Sequence, residues 1–118
     1  MKRFTRSHEW IEVKDKVGTV GITDYAQKEL GEIVYVQLPE IGESAKAGQE
    51  ICVLESTKAA ADVYSPVTGR IVAVNDVLIK EPQRINGSGA WLFQIELSNP
   101  KEADALLSQA DYEKLISG

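Results

Sequence analysis

The sequence predicts a mainly β fold, a small β-sandwich or flattened barrel with helices confined to the ends, and three observations carry that reading. Short β-branched and aromatic runs recur along most of the chain, among them Ile33-Val34-Tyr35-Val36 and Trp91-Leu92-Phe93-Gln94-Ile95. Glycine and proline punctuate those runs, as at Gly42, Gly48, Pro66 and Gly69. Helix-start chemistry is read at Thr23-Asp24 and again at Asn99-Pro100.

Taken in order, residues 10–22 set apolar pieces (Trp10, Ile11, Val13, then Val17, Val20, Ile22) around Lys14-Asp15-Lys16, which predicts an antiparallel hairpin. Thr23 can cap the next turn, Asp24 suits the positive end of a helix dipole and Gly31 suits its stop, so 23–31 reads as a short helix. Residues 33–38 form a strand ended by Pro39, and 41–48 is turn-rich. Two strands near 50–54 and 62–64 then flank Glu55-Ser56-Thr57-Lys58-Ala59-Ala60-Ala61. Pro66-Val67-Thr68-Gly69 reads as a turn whose last position calls for a backbone conformation open mainly to glycine. A strand at 70–74, a loop through Pro82, Asn86 and Gly89, and a last strand at 91–97 complete the sheets. Asn99 is an N-cap candidate, Pro100 fits the first helical position, and Glu102 completes a capping-box-like arrangement. Ala103, Leu106, Leu107, Ala110, Leu115 and Ile116 follow at helical spacing, so a C-terminal helix or helix pair should pack on the sheets.

A chain of 118 residues with 43% hydrophobic content can bury one modest core, and 1–118 is expected to be a single domain. The formal net charge of -5, from 13 basic and 18 acidic residues, argues against a nucleic-acid or anionic-membrane partner, since both would repel an acidic surface. The single cysteine, Cys52, lies inside Ile51-Cys52-Val53-Leu54, which predicts a buried structural thiol with no intrachain disulfide. No apolar stretch approaches the roughly 20 residues that cross a bilayer, and Met1-Lys2-Arg3-Phe4-Thr5 lacks the apolar core of a secretory signal. The expectation is a soluble, monomeric, cytoplasmic protein.

Catalysis would need a constellation, and the chain offers one histidine, one buried cysteine and neither a phosphate loop nor metal-ligand spacing. His8, beside Glu9 and Trp10, could act as a base, but a lone histidine near a terminus is more often packing or surface material. A lone lysine in a turn is likewise ordinarily a solvated group. Lys58 differs in its setting: two strands meet there at a tip whose neighbours Ser56, Thr57, Ala59 and Ala60 are small, leaving the amine uncrowded. A carrier needs its reactive group on a rigid exposed tip, so that loading and unloading enzymes meet the same geometry.

Gly42, Gly48-Gln49, Glu55-Ser56-Thr57-Lys58-Ala59-Ala60-Ala61-Asp62, Ser65-Pro66, Gly69 and Val74-Asn75 resemble the lipoyl/biotinyl attachment fold, with Lys58 at the modified position. Ser7-His8-Glu9-Trp10, Val20-Gly21-Ile22-Thr23-Asp24-Tyr25-Ala26-Gln27, Leu30-Gly31-Glu32-Ile33-Val34, Val36-Gln37-Leu38-Pro39 and Ser65-Pro66-Val67-Thr68-Gly69 resemble the glycine cleavage system H protein family over nearly the whole chain. The lipoyl-lysine motif of that family is similar to Glu55-Ser56-Thr57-Lys58-Ala59, whereas biotin carriers usually flank the lysine with methionines. The resemblance implies a non-enzymatic carrier of covalent lipoate on Lys58. The arm would take an aminomethyl group from a pyridoxal-phosphate glycine decarboxylase to a tetrahydrofolate-dependent aminomethyltransferase. Dihydrolipoyl dehydrogenase would reoxidise it, and a lipoyl ligase or transferase would install it. Carried over by position, Ser7, Glu9 and Asp62 would line a cleft that contacts the cargo's amine. The sequence departs from the family at Ile85-Asn86-Gly87-Ser88-Gly89-Ala90-Trp91, where a Pro-Tyr-Gly-x-Gly-Trp-like stretch is shortened. That departure is the only hint of a second reading, a lipoylated relay that passes lipoate to other lipoyl domains; a third reading is a binding or structural module whose Lys58 is never modified.

Overall fold

The computed structural model describes residues 1–86 and 90–117. In chain order its elements are β1 (Lys2–Phe4), β2 (Glu9–Lys14), β3 (Val17–Ile22), α1 (Asp24–Leu30), β4 (Ile33–Gln37), β5 (Ser44–Ala45), β6 (Glu50–Ser56), β7 (Ala60–Tyr64), β8 (Gly69–Val74), α2 (Val77–Lys80), a 3-10 turn at Pro82–Asn86, β9 (Phe93–Leu97), α3 (Lys101–Asp104) and α4 (Gln109–Ser117). Two antiparallel sheets share one core, a six-stranded sheet ordered β1-β2-β3-β9-β8-β5 and a three-stranded sheet ordered β4-β6-β7. The body measures 37 × 37 × 21 Å. It is a flattened sandwich, and its sheets do not close into a barrel.

Alternation explains which faces are buried. Along β9, Phe93, Ile95 and Leu97 point inward while Gln94 is half-buried and Glu96 exposed. Ile11 and Val20 from the β2–β3 hairpin, Ile71 from β8 and Leu54 from β6 join them in the core. Each fully buried side chain of this size contributes roughly 1.5–3 kcal/mol over leaving it exposed, so this layer is the main source of cohesion. Cys52 is buried in the same core, and burial, reinforced by the Glu43 carboxylate, pushes its thiol up to about 12. It is a packed structural group, held in the unreactive thiol form.

The hairpin and first helix form as the residues predict. The Thr23 side chain accepts a hydrogen bond from the Ala26 amide at 3.2 Å, and Gly31 ends α1 at φ 81° with its amide donating to the Gln27 carbonyl. Between β8 and β9, where a plain loop is expected, the chain forms α2 and the 3-10 turn. Their reason is tertiary: Leu78 and Ile85 are inserted into the core at 1% and 0% exposure. The strands β1 and β5, of three and two residues, are also absent from the sequence reading. Each is too short to show a period and is held by a neighbour, β2 and β8 respectively. The last strand begins at Phe93, later than 91; just before it the Asn75 side-chain amide donates to the Trp91 carbonyl, the Asn75 backbone amide donates to the Leu92 carbonyl, and the Leu92 amide donates to the Val20 carbonyl.

Two expectations need correction. The capping box at α3 does not form: the Asn99 side chain accepts from the Lys101 amide, but the Glu102 carboxylate turns to Thr68, accepting from its amide at 2.8 Å and from its hydroxyl at 3.1 Å. A tie between α3 and the turn before β8 thus replaces the local cap. Gly69 lies in strand β8 and is not among the positive-φ glycines of the described residues, which are Gly31, Gly42 and Gly48. It is required for space, since an added Cβ would be driven into the Glu96 carbonyl oxygen of the neighbouring strand. No helix among the described residues is long and apolar enough to cross a membrane.

Candidate functional site

Strands β6 and β7 pair from Glu50↔Tyr64 to Glu55↔Ala60, which leaves Thr57, Lys58 and Ala59 as the exposed tip of the hairpin. One side chain organises that tip. The Ser56 hydroxyl oxygen accepts from the Lys58 and Ala59 amides, each at 3.1 Å, and its proton is donated to the Ala59 carbonyl at 3.2 Å. The Ser56 amide also donates to that carbonyl, and the Thr57 amide donates to the Glu32 carbonyl, anchoring the tip to the start of the second sheet. Serine appears in the sequence only as one of several small neighbours, and its bonding role emerges from the turn geometry. Ser56→Ala is expected to loosen the tip by about 1 kcal/mol and to slow modification of Lys58 without unfolding the sandwich. Hydrogen exchange at the Lys58 and Ala59 amides is the check.

The Lys58 side chain lies against the end of α1. A Cβ on Gly31 would stand 3.7 Å from Lys58 Cε and 3.9 Å from its Nζ, ordinary contact distances, so glycine is called for there by its φ of 81° and not by lack of space. Asn86 supports this corner from the other side, donating from its amide to the Gly31 carbonyl at 3.3 Å and accepting from the Ile33 amide at 3.4 Å. The sequence departure at 85–91 begins there, and its centre, residues 87–89, lies outside the described residues.

A cleft of about 370 Å³ runs between α1 and the β6–β7 hairpin. Ile22, Ala26, Leu30, Leu54, Ala61 and Val63 supply apolar walls, and Ser7, Glu9, Asp62, Glu29, His8 and Tyr25 supply the polar ones. Ser7, Glu9 and Asp62, which stand far apart in sequence, therefore meet in one cleft. A larger hollow of about 410 Å³ beside β1, β2 and α4 contains none of these three, and Lys58 lines neither the hollow nor the cleft.

The carboxylate of Glu9 is 1% exposed, which rules out a solvated surface acid. Its Oε1 accepts from Thr5 Oγ1 at 2.5 Å and Ser7 Oγ at 2.6 Å, and Oε2 accepts from the Tyr64 amide at 3.3 Å. Buried charge is tolerable only with such partners. A carboxylate offers about four acceptor directions, so one remains for a donor entering the cleft. Thr5 went unnoticed in sequence, though hydroxyls two and four residues before an acid are the pattern to look for. Asp62 is exposed at the opposite wall, and Glu29 on α1 holds the Tyr25 phenol above its ordinary value by charge proximity and hydrogen bonding, with burial adding to it.

Comparison with known proteins agrees with this architecture. A family model described as glycine cleavage H-protein matches residues 2–118. The chain is 49% identical to a glycine cleavage system H protein of Thermotoga maritima, with 99% of this chain and 97% of that one covered. It is 48% identical to the protein of the same description from Carboxydothermus hydrogenoformans, covering 97% and 90%. A crystal structure of a glycine cleavage system H protein from Mycobacterium marinum superposes with a TM-score of 0.90 at 34% identity, covering 99% of this chain and 97% of that one. A sandwich that presents one lysine on a braced hairpin beside an acid-lined cleft, matched over almost its full length, belongs to the glycine cleavage H-protein family.

Proposed function

We propose that residues 1–118 act as one lipoyl carrier domain of the glycine cleavage system, with lipoate held in amide linkage on Lys58. The observation that carries this reading is the exposed Lys58 at a braced tip, lying over Gly31 beside the cleft. The residues fit the group: the amine at the root of the arm is exposed, and the apolar walls of Leu30, Leu54 and Ala61 suit its hydrocarbon chain. When bound, the dithiolane supplies the group-transfer and redox chemistry that this chain lacks.

The chain's own residues present, orient and shield. Ser56 holds the attachment point still, so that glycine decarboxylase, aminomethyltransferase, dihydrolipoyl dehydrogenase and the lipoyl ligase or transferase each meet the same geometry. Glu9 offers a free lone-pair direction to the ammonium of the aminomethyl cargo, Asp62 supplies a second negative charge, and Ser7 keeps the Glu9 carboxylate oriented. The apolar walls keep water from the cargo. Tethering turns transfer between enzymes into a local event at raised effective concentration. This carrier works as a monomer in the cytoplasm and catalyses no step alone. Nothing among the described residues favours the lipoate-relay alternative.

Intact mass of the protein from its own cells tests attachment, and a mass without the lipoyl increment would sink it. Glu9→Gln with Asp62→Asn is expected to leave lipoylation intact and to speed formaldehyde release from the loaded protein roughly tenfold or more, the factor that about 1.4 kcal/mol of lost charge attraction represents. The effect should shrink as salt rises. Equal release from both proteins would remove the shielding role.

A further inference from the structure

The histidine set aside as packing material has an unusual backbone. His8 sits at φ 74°, in the left-handed region that non-glycine residues seldom occupy, between the two cleft residues Ser7 and Glu9. Such a conformation persists where the surroundings impose it. Here its amide donates to the Thr5 carbonyl at 3.2 Å, its carbonyl accepts from the Thr23 amide at 3.0 Å, and its ring packs on Tyr25 with centroids 4.6 Å apart.

The remaining contact comes from the other end of the chain. Tyr112 on α4 is buried, stacked on Phe4 at 4.8 Å, and its hydroxyl lies 2.8 Å from His8 Nδ1 and 2.7 Å from Thr23 Oγ1. The Ala26 amide donates to Thr23, and the Tyr112 hydroxyl bridges Thr23 and His8 in either order: Thr23 to Tyr112 to an unprotonated His8 Nδ1, or a protonated His8 Nδ1 to Tyr112 to Thr23. Burial raises the Tyr112 phenol above its ordinary value, the bond with Thr23 opposes it, and the charges of Tyr25 and Glu9 add to it.

We infer that Tyr112 is a positioning residue: through His8 it fixes the 5–9 loop so that the Glu9 carboxylate faces the cleft with one acceptor direction free. The C-terminal helix is thereby part of the cargo site, although it lines no wall of the cleft. This inference rests on the cleft reading above, and the experiment separates the two.

In the unlipoylated protein, Tyr112→Phe removes the hydroxyl and keeps the stacked ring. Exchange at the Glu9 and Tyr64 amides, whose bonds to Thr5 and to Glu9 depend on that loop, is expected to rise roughly 3- to 10-fold, the factor one net hydrogen bond is worth. His8→Asn tolerates the backbone angle and offers an acceptor near the Nδ1 position, so it should stay near wild type, whereas His8→Ala should match Tyr112→Phe. In the loaded protein, Tyr112→Phe should speed formaldehyde release in the native background and add nothing once Glu9→Gln is present. An equal rise across the β8–β9 ladder, equal behaviour of the Asn and Ala variants, or additive release rates would each overturn the inference. If Glu9→Gln alone leaves release unchanged, the shielding role of the cleft fails, and the exchange data still decide whether Tyr112 sets Glu9.

Discussion

Lys58→Arg is expected to yield a folded protein that carries no lipoyl mass at all. Arginine keeps the positive charge but offers no amine that the modifying enzyme can acylate. The side chain is exposed and makes no hydrogen bond or ion pair among the described residues, so thermal unfolding should shift by no more than a surface substitution does, within about 0.5 kcal/mol. Peptide mapping decides the matter. A lipoyl group retained in the variant, or found on Lys46 or Lys80, would place the attachment elsewhere. Neither of those lysines lies in the hairpin that Ser56 organises, which is why the loss is expected to be complete.

Gly69→Val is expected to be the most damaging single change to the fold. The new Cβ would meet the Glu96 carbonyl oxygen, backbone that cannot swing aside without breaking the β8–β9 ladder, where Gly69 pairs with Leu97 and Arg70 with Glu96. Overpacking a core costs typically 1–3 kcal/mol where side chains can adjust, and a collision with backbone belongs at or above the top of that range. For a chain of this length the unfolding midpoint should fall by roughly 10 °C or more. Gly69→Ala already carries the colliding Cβ, and the φ here is not positive, so alanine should lose stability through the collision alone. Near-native stability of the alanine variant would show that the strands can part more readily than the structure implies.

Much of the site is legible in the residues themselves. Lys58 stands out because its neighbours are small and because turn and strand patterns bracket it, both local properties of the chain. The short helix at 23–31 is legible for the same reason, since Thr23, Asp24 and Gly31 act within one turn of where they stand. The capping box at Asn99 to Glu102 shows the limit of that logic. Its local pattern is sound, and Asn99 accepts from the Lys101 amide, yet Glu102 gains two bonds to Thr68, thirty-four residues away, and the reciprocal half of the box is lost. Gly69 shows the same limit, because its need for space comes from a strand that follows it by more than twenty residues.

By itself the sequence determined the fold class and the lysine at the tip, because period and turn chemistry are written in neighbouring positions; Ser7, Glu9 and Asp62 came from the family resemblance, carried over by position. Only the tertiary structure decided that Glu9 is buried with three donors, that the Lys58 side chain lies against Gly31, and that Tyr112 reaches His8 across 104 positions. Burial and hydrogen-bond partners are set by which sheet and helix come to lie against a residue. That depends on the packing of the whole core, which no local stretch of chain encodes.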